Sequence, residues 1–171
     1  LAAPPTMTRK NNALVWLLLS LLVIALDQFT KHIALAALQP YESHEVIPGL
    51  LNWTLAFNTG AAFSFLAGAD GWQRWFFTAL AIGVSAGLAV WLSRLQRGDW
   101  RNAMPLALII GGALGNLVDR LRFGHVVDFI DAYWNGAHWP AFNIADSAIC
   151  VGAVALALFS FVGGKEQAKR G

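Results

Sequence analysis

Long apolar runs alternate with short polar breaks along this chain. Four of them, over about 13–38, 72–95, 103–121 and 141–162, are long enough to cross a bilayer, which takes about 20 residues each. They lack the strict alternation of barrel strands, so each is expected to be a helix. One connection has a different period. Leu51, Trp53, Leu55 and Phe57 recur at every second position, between the turn signals Pro48-Gly49 and Asn58-Thr59-Gly60. That pattern predicts a half-buried strand. The expected fold is an all-α membrane protein of four transmembrane helices, with a small extracytoplasmic β-sheet over about 40–70 lying on the membrane interface. A second outer connection, 122–140, joins spans three and four and carries Asp128.

Composition agrees with a membrane protein. Hydrophobic residues make up 57% of the 171 positions and charged residues 13%, against about 25% charged in ordinary soluble domains. The net charge is +2, with basic residues dispersed among apolar runs, which is no footprint for nucleic acid. Length allows one integral membrane domain, over 7–171. Met7 reads as the native start, and residues 1–6 as a vector-derived leader. Cys150 is the single cysteine; it excludes an internal disulfide and reads as a small core residue. Arg9-Lys10, the first apolar run and Ala34-Leu35-Ala36 have the outline of a cleavable signal peptide. Asp27, Lys31 and His32 interrupt that outline, so a retained helix is expected.

Eight of the twelve basic residues, at 9, 10, 94, 97, 101, 165, 169 and 170, fall on one side of the expected spans. Basic loops face the cytoplasm, so both termini are expected there. Tryptophans 16, 72, 75, 91, 100 and 139 stand near span ends, as in an interfacial belt. With this orientation, Asp27, Lys31, Asn116, Asp119, Arg120, Asn143 and Asp146 all fall at the outer membrane face, with Asn58 and Asp128 in the outer connections.

Each has a plain structural reading. Asp27 and Lys31, four apart, suit a neutralising helix pair. Asn116, Asp119 and Arg120 fit helix-end solvation and substrate binding about equally. Gly111 and Gly115 form a small-residue packing face. Asn58-Thr59-Gly60 reads as a turn, His125 as a lone interfacial histidine, and Asp131 as a solvated loop residue. Ser64 and Ser147 have no nearby base, which argues against a serine nucleophile. Asp128 and Asp146 are the costly pair, because a carboxylate beside hydrocarbon is rarely kept without a role. Capping of helix ends and shared-proton catalysis explain them equally well. A proton relay or transporter would spread polar residues through the membrane depth, and an assembly subunit would tolerate loss of both aspartates.

Five blocks in order resemble the lipoprotein signal peptidase (signal peptidase II) family of bacteria. They are Asp27-Gln28-Phe29-Thr30-Lys31, the stretch from Phe57 to Ser64, the stretch from Gly115 to Arg120, Val127-Asp128-Phe129, and the stretch from Pro140 to Asp146. The likeness runs from about Asn12 to Val162, and departs only at Thr30, where serine is common. It implies an intramembrane aspartic endopeptidase of the bacterial inner membrane. Such an enzyme cleaves diacylglyceryl-modified prolipoproteins just before the lipidated cysteine, and is a target of globomycin. The resemblance makes Asp128 and Asp146 the catalytic pair. Asp27, Lys31, Asn58, Gly60, Asn116, Asp119, Arg120 and Asn143 match positions that support or line the site. The implied partners are the prolipoprotein and membrane lipid; no metal or cofactor is implied, and a monomer is expected.

Overall fold

The computed structural model describes residues 12–60 and 71–168. A 3₁₀ turn, Ala13–Trp16, leads into α1 (Leu17–Ala37). Strands β1 (Ser43–Ile47) and β2 (Leu51–Asn58) follow, then helices α2 (Trp72–Arg94) and α3 (Trp100–Phe123). Strands β3 (Val126–Trp134) and β4 (Ala137–His138) precede α4 (Ile144–Ala168). Four of these helices are long and apolar enough to cross a membrane.

The helices wear their polarity inside out. On α1, Leu18 and Phe29 are 65% and 63% exposed, while Asp27 and Lys31 are 0% and 2% exposed. Water would reverse this arrangement; hydrocarbon permits it. Helix α3 is central: 56% of its most apolar stretch is buried, against 22%, 17% and 17% for the corresponding stretches of α1, α2 and α4. Small residues let its neighbours approach. A Cβ at Gly111 would press on Ser20 and Val23 of α1, and one at Gly112 on the carbonyl of Ala145 in α4. The expected small-residue face is therefore a packing face, with Gly112 added to it.

At the other end of the bundle from the α2–α3 turn, a four-stranded antiparallel sheet has the order β1-β2-β3-β4. Strand β2 forms where its period predicts. Trp53, Leu55 and Phe57 pack with Val127 over Leu35 and Leu38, at the end of α1. The sheet is larger than expected on one side. The segment read as a plain connection, 122–140, contains β3, which pairs along β2 from Leu51↔Ala132 to Asn58↔Val126. It also contains a tight hairpin. Trp134 pairs with Ala137 across Asn135-Gly136, both with positive φ (49° and 79°), as this two-residue turn requires. Residues 61–70 of the expected sheet region, including Ser64, lie outside the described residues, as do positions 9, 10, 169 and 170.

Two expectations need correction. Asp131 is not a solvated loop residue: it lies on β3, accepts from Asn52 Nδ2 at 2.8 Å and contacts His138 Nδ1 at 2.9 Å. Cys150 is not in the core: it is exposed on α4. Apolar side chains of a membrane helix face lipid as readily as core, so hydrophobic context alone did not distinguish the two positions.

Candidate active site

Strand β3 and the start of α4 are locked together by backbone. Phe142 N donates to Ile130 O at 2.9 Å, and Ile130 N and Phe129 N donate to Phe142 O at 2.9 and 3.1 Å. This bridge sets Asn143 beside Asp128, and Asn143 Nδ2 donates to Asp128 Oδ1 at 2.7 Å. One turn into α4, Asp146 N donates to Asn143 Oδ1 at 2.9 Å, and Asn143 N donates to Asp146 Oδ2 at 3.3 Å. The exchange is a reciprocal helix cap of the capping-box type. Asp146 therefore has a capping role through Oδ2, with Asn143 as the cap itself. Asp146 Oδ1 is left for Asn116 of α3, whose Nδ2 donates to it at 2.7 Å. Asn143 Nδ2 also lies 3.2 Å from Asn116 Oδ1. Two linked amides thus join the two aspartates.

Behind them lies an ion cluster. Lys31 Nζ is 2.8 Å from Asp27 Oδ2, 2.8 Å from Asp119 Oδ2 and 3.0 Å from Asn116 Oδ1. The remaining oxygens are also met. Asp27 Oδ1 accepts from Ala145 N at 2.9 Å, Asp119 Oδ2 from Val127 N at 3.0 Å, and Asp119 Oδ1 from Gln28 Nε2 at 2.8 Å. These bonds tie α1 and α3 to the start of α4 and to β3. Burying charge is tolerable only with such complete pairing.

Asp128, on β3 outside the spans, is 2% exposed. Burial and the nearby Asp146 charge push its carboxyl up to about 7, against hydrogen bonds from Asn58 and Asn143 that favour the anion. Arg120 sits over the Phe77 ring at 5.2 Å, and the charges of Asp146, Asp119 and Asp128 all act on it. Gly60 closes the far side. Its N donates to Asn58 Oδ1 at 2.8 Å, its φ is +99°, and a Cβ there would collide with Phe77. His125 stacks on Phe123 and meets the Phe57 ring at a tilt, and burial lowers its pKa.

A family model described as signal peptidase (SPase) II matches residues 19–162. The chain belongs to the signal peptidase II family. The lipoprotein signal peptidase of Xanthomonas campestris pv. campestris (strain 8004) is 59% identical over 160 residues, covering 94% of this chain and 96% of that one. The lipoprotein signal peptidase of Xylella fastidiosa (strain M12) is 54% identical over 165 residues, covering 95% and 99%. Among solved structures, a bacterial membrane enzyme determined by the in meso method at 2.3 Å resolution matches with a TM-score of 0.75 and 34% identity, covering 88% of this chain and 91% of that one. A second, at 1.9 Å, has a TM-score of 0.73 and 33% identity, covering 84% and 90%. Family membership makes this chain a peptidase.

All ten residues singled out from the signal peptidase II pattern meet at one end of the bundle. Asp27, Lys31, Asn116, Asp119 and Asn143 are buried, Asp128 faces Asn143 and Asn58, and Asp146, Arg120 and Gly60 border them. Gln28 belongs to the first block, and the sequence pattern assigned it no place in the site. Its Nε2 also reaches Gly115 O at 3.2 Å, and its spacing of three from Lys31 was the available signal. Phe77 carried none, because a phenylalanine in an apolar helix is indistinguishable from a lipid-facing one.

Proposed function

We propose that this peptidase is an aspartic endopeptidase working through Asp128 and Asp146. One observation carries the reading. Two carboxyl groups from different elements are joined through paired amides, while the nearby lysine is engaged by two other carboxylates. Among the described residues no lysine or arginine forms an ion pair with Asp128 or Asp146, and Asp128 is held up to about 7. Such a pair keeps one proton near neutral pH.

The chemistry follows from that proton count. The ionised member takes a proton from a water placed between the two carboxyls. The protonated member hydrogen-bonds the scissile carbonyl as the water attacks, and the proton taken from water passes to the leaving amine. Asn116 and Asn143 hold the carboxyl groups in place, and Arg120, above Phe77, binds a substrate carbonyl or lipid ester. The substrate is a diacylglyceryl-modified prolipoprotein, cut just before the lipidated cysteine. Its acyl chains remain in the membrane, beside the apolar outer faces of the helices. The enzyme acts as a monomer in the inner membrane, with both termini cytoplasmic and the site at the periplasmic face. The basic residues near the α2–α3 turn, at the end remote from the sheet, support that orientation.

The test is cleavage of a lipidated precursor peptide by purified protein in detergent, beside an unlipidated control. Asp128→Asn and Asp146→Asn should each lower turnover by at least about 1,000-fold, with melting showing folded protein. Substantial residual cleavage in either folded variant would break the reading.

A further inference from the structure

An asparagine amide has an oxygen side and an NH₂ side of nearly equal shape, so its neighbours decide which side meets a carboxylate. Asn116 stands between Lys31 and Asp146. Its Oδ1 is 3.0 Å from Lys31 Nζ, and its Nδ2 is 2.7 Å from Asp146 Oδ1. An ammonium has three donors and no acceptor. Lys31 directs two of them to Asp27 and Asp119, each at 2.8 Å. The third meets Asn116, and an oxygen is the only partner it accepts there.

We propose that Lys31 is a positioning residue for hydrolysis: it pins Asn116 Oδ1 and so turns the Asn116 and Asn143 NH₂ groups towards Asp146 and Asp128. The inference rests on the aspartate pair being the catalytic one. The second link is the contact of Asn143 Nδ2 with Asn116 Oδ1 at 3.2 Å and with Asp128 Oδ1 at 2.7 Å. The Asn143 oxygen is occupied by Asp146 N. Turning Asn116 over would set NH₂ against the ammonium and oxygen against Asp146, two repulsive contacts in a buried site. The charged groups facing this relay are Asp27 and Lys31 from α1, Asp119 and Arg120 from α3, Asp128 from β3 and Asp146 from α4. A purely structural Lys31 would neutralise Asp27 and Asp119 and do nothing to Asn116.

The two roles separate in a double variant, Lys31→Met with Asp27→Asn. It removes one positive and one negative charge, so the cluster of Asp27, Lys31 and Asp119 keeps its net charge of −1. Asn at 27 also retains an oxygen for Ala145 N. Positioning predicts kcat lowered about 10- to 100-fold, with KM within about twofold and the acid limb of the pH profile displaced. Adding Asn116→Ala should then cost no more than Asn116→Ala costs alone, because both changes break one path. Wild-type kcat in the folded double variant, or losses that multiply, would overturn the proposal.

If the double variant fails to fold, the unaltered chain decides. In protein labelled with [15N]asparagine, an Asn116 side-chain proton, assigned by its loss in Asn116→Ala, should lie downfield and move back in Asp146→Asn. A proton unmoved by Asp146→Asn would overturn the proposal as well. Asp128→Asn in the same assay separates the two levels. Cleavage that survives it removes the aspartyl reading itself, whereas its loss, with multiplying effects at 31 and 116, removes only the role of Lys31.

Discussion

Two carboxylate groups share one end of this bundle and are treated in opposite ways. Asp27 and Asp119 flank Lys31 at 2.8 Å and take backbone N–H bonds from Ala145 and Val127. Asp128 and Asp146 take amide N–H bonds, and burial and the neighbouring Asp146 charge hold the Asp128 carboxyl up to about 7. The first group is held by ion pairs and ties helices to strand. The second is held by the amides of Asn143 and Asn116. A fully paired buried carboxylate suits a structural role, and one answered only in part is the better candidate for the proposed chemistry.

Beyond the loss of turnover in the aspartate variants, the largest effect should come from unpairing the first group. Lys31→Met leaves Asp27 and Asp119 buried without their cation, and should cost about 3–5 kcal/mol of stability, read as a collapse of the melting temperature in detergent. Asp27→Asn added to it should recover part of that loss. Next comes Gly112→Ala, whose Cβ would press on the Ala145 carbonyl beside the site. Overpacking of this kind costs about 1–3 kcal/mol, and melting should show it.

Smaller, and specific to the second group, is a pH effect. Asp128 ionises at 3.8 unperturbed and at about 7 in the fold, so the folded chain holds its proton more tightly than the unfolded one. Its contribution to stability is complete below 3.8 and is lost as pH rises through about 7. The melting temperature of Asp128→Asn relative to wild type should therefore rise from about pH 4 to about pH 8. A difference that does not change with pH would contradict the assignment. The smallest effect belongs to Cys150, exposed on α4: Cys150→Ala should change stability by less than about 0.5 kcal/mol and leave turnover alone.

The helices and β2 were legible because each carries one dominant period. Strand β3 was not, because Val126, Val127, Asp128 and Phe129 are buried in succession. With consecutive residues covered, alternation disappears. An aspartate in mid-strand also runs against strand propensity. The Asn135-Gly136 hairpin was readable, yet it falls in a segment taken as a connection between helices. Among the site residues, Asp27 and Lys31 were paired correctly by helical spacing. Their partner Asp119 was not, since it comes from another helix and spacing says nothing between helices. Capping and catalysis explained Asp146 equally well from sequence, and it proves to be the third residue of a capping box, with Asn143 as the cap. Its Oδ2 takes part in the cap while its Oδ1 takes the Asn116 amide, so capping does not exclude the chemistry proposed for it.

The proton proposed for the aspartate pair can be sought directly. Infrared difference spectra recorded between about pH 6 and about pH 9 should show one protonated-carboxyl band that titrates at about 7. That band should be missing in Asp128→Asn. No such band in the wild-type protein, or one that persists in the folded variant, would contradict a shared proton and leave the pair without its proposed chemistry.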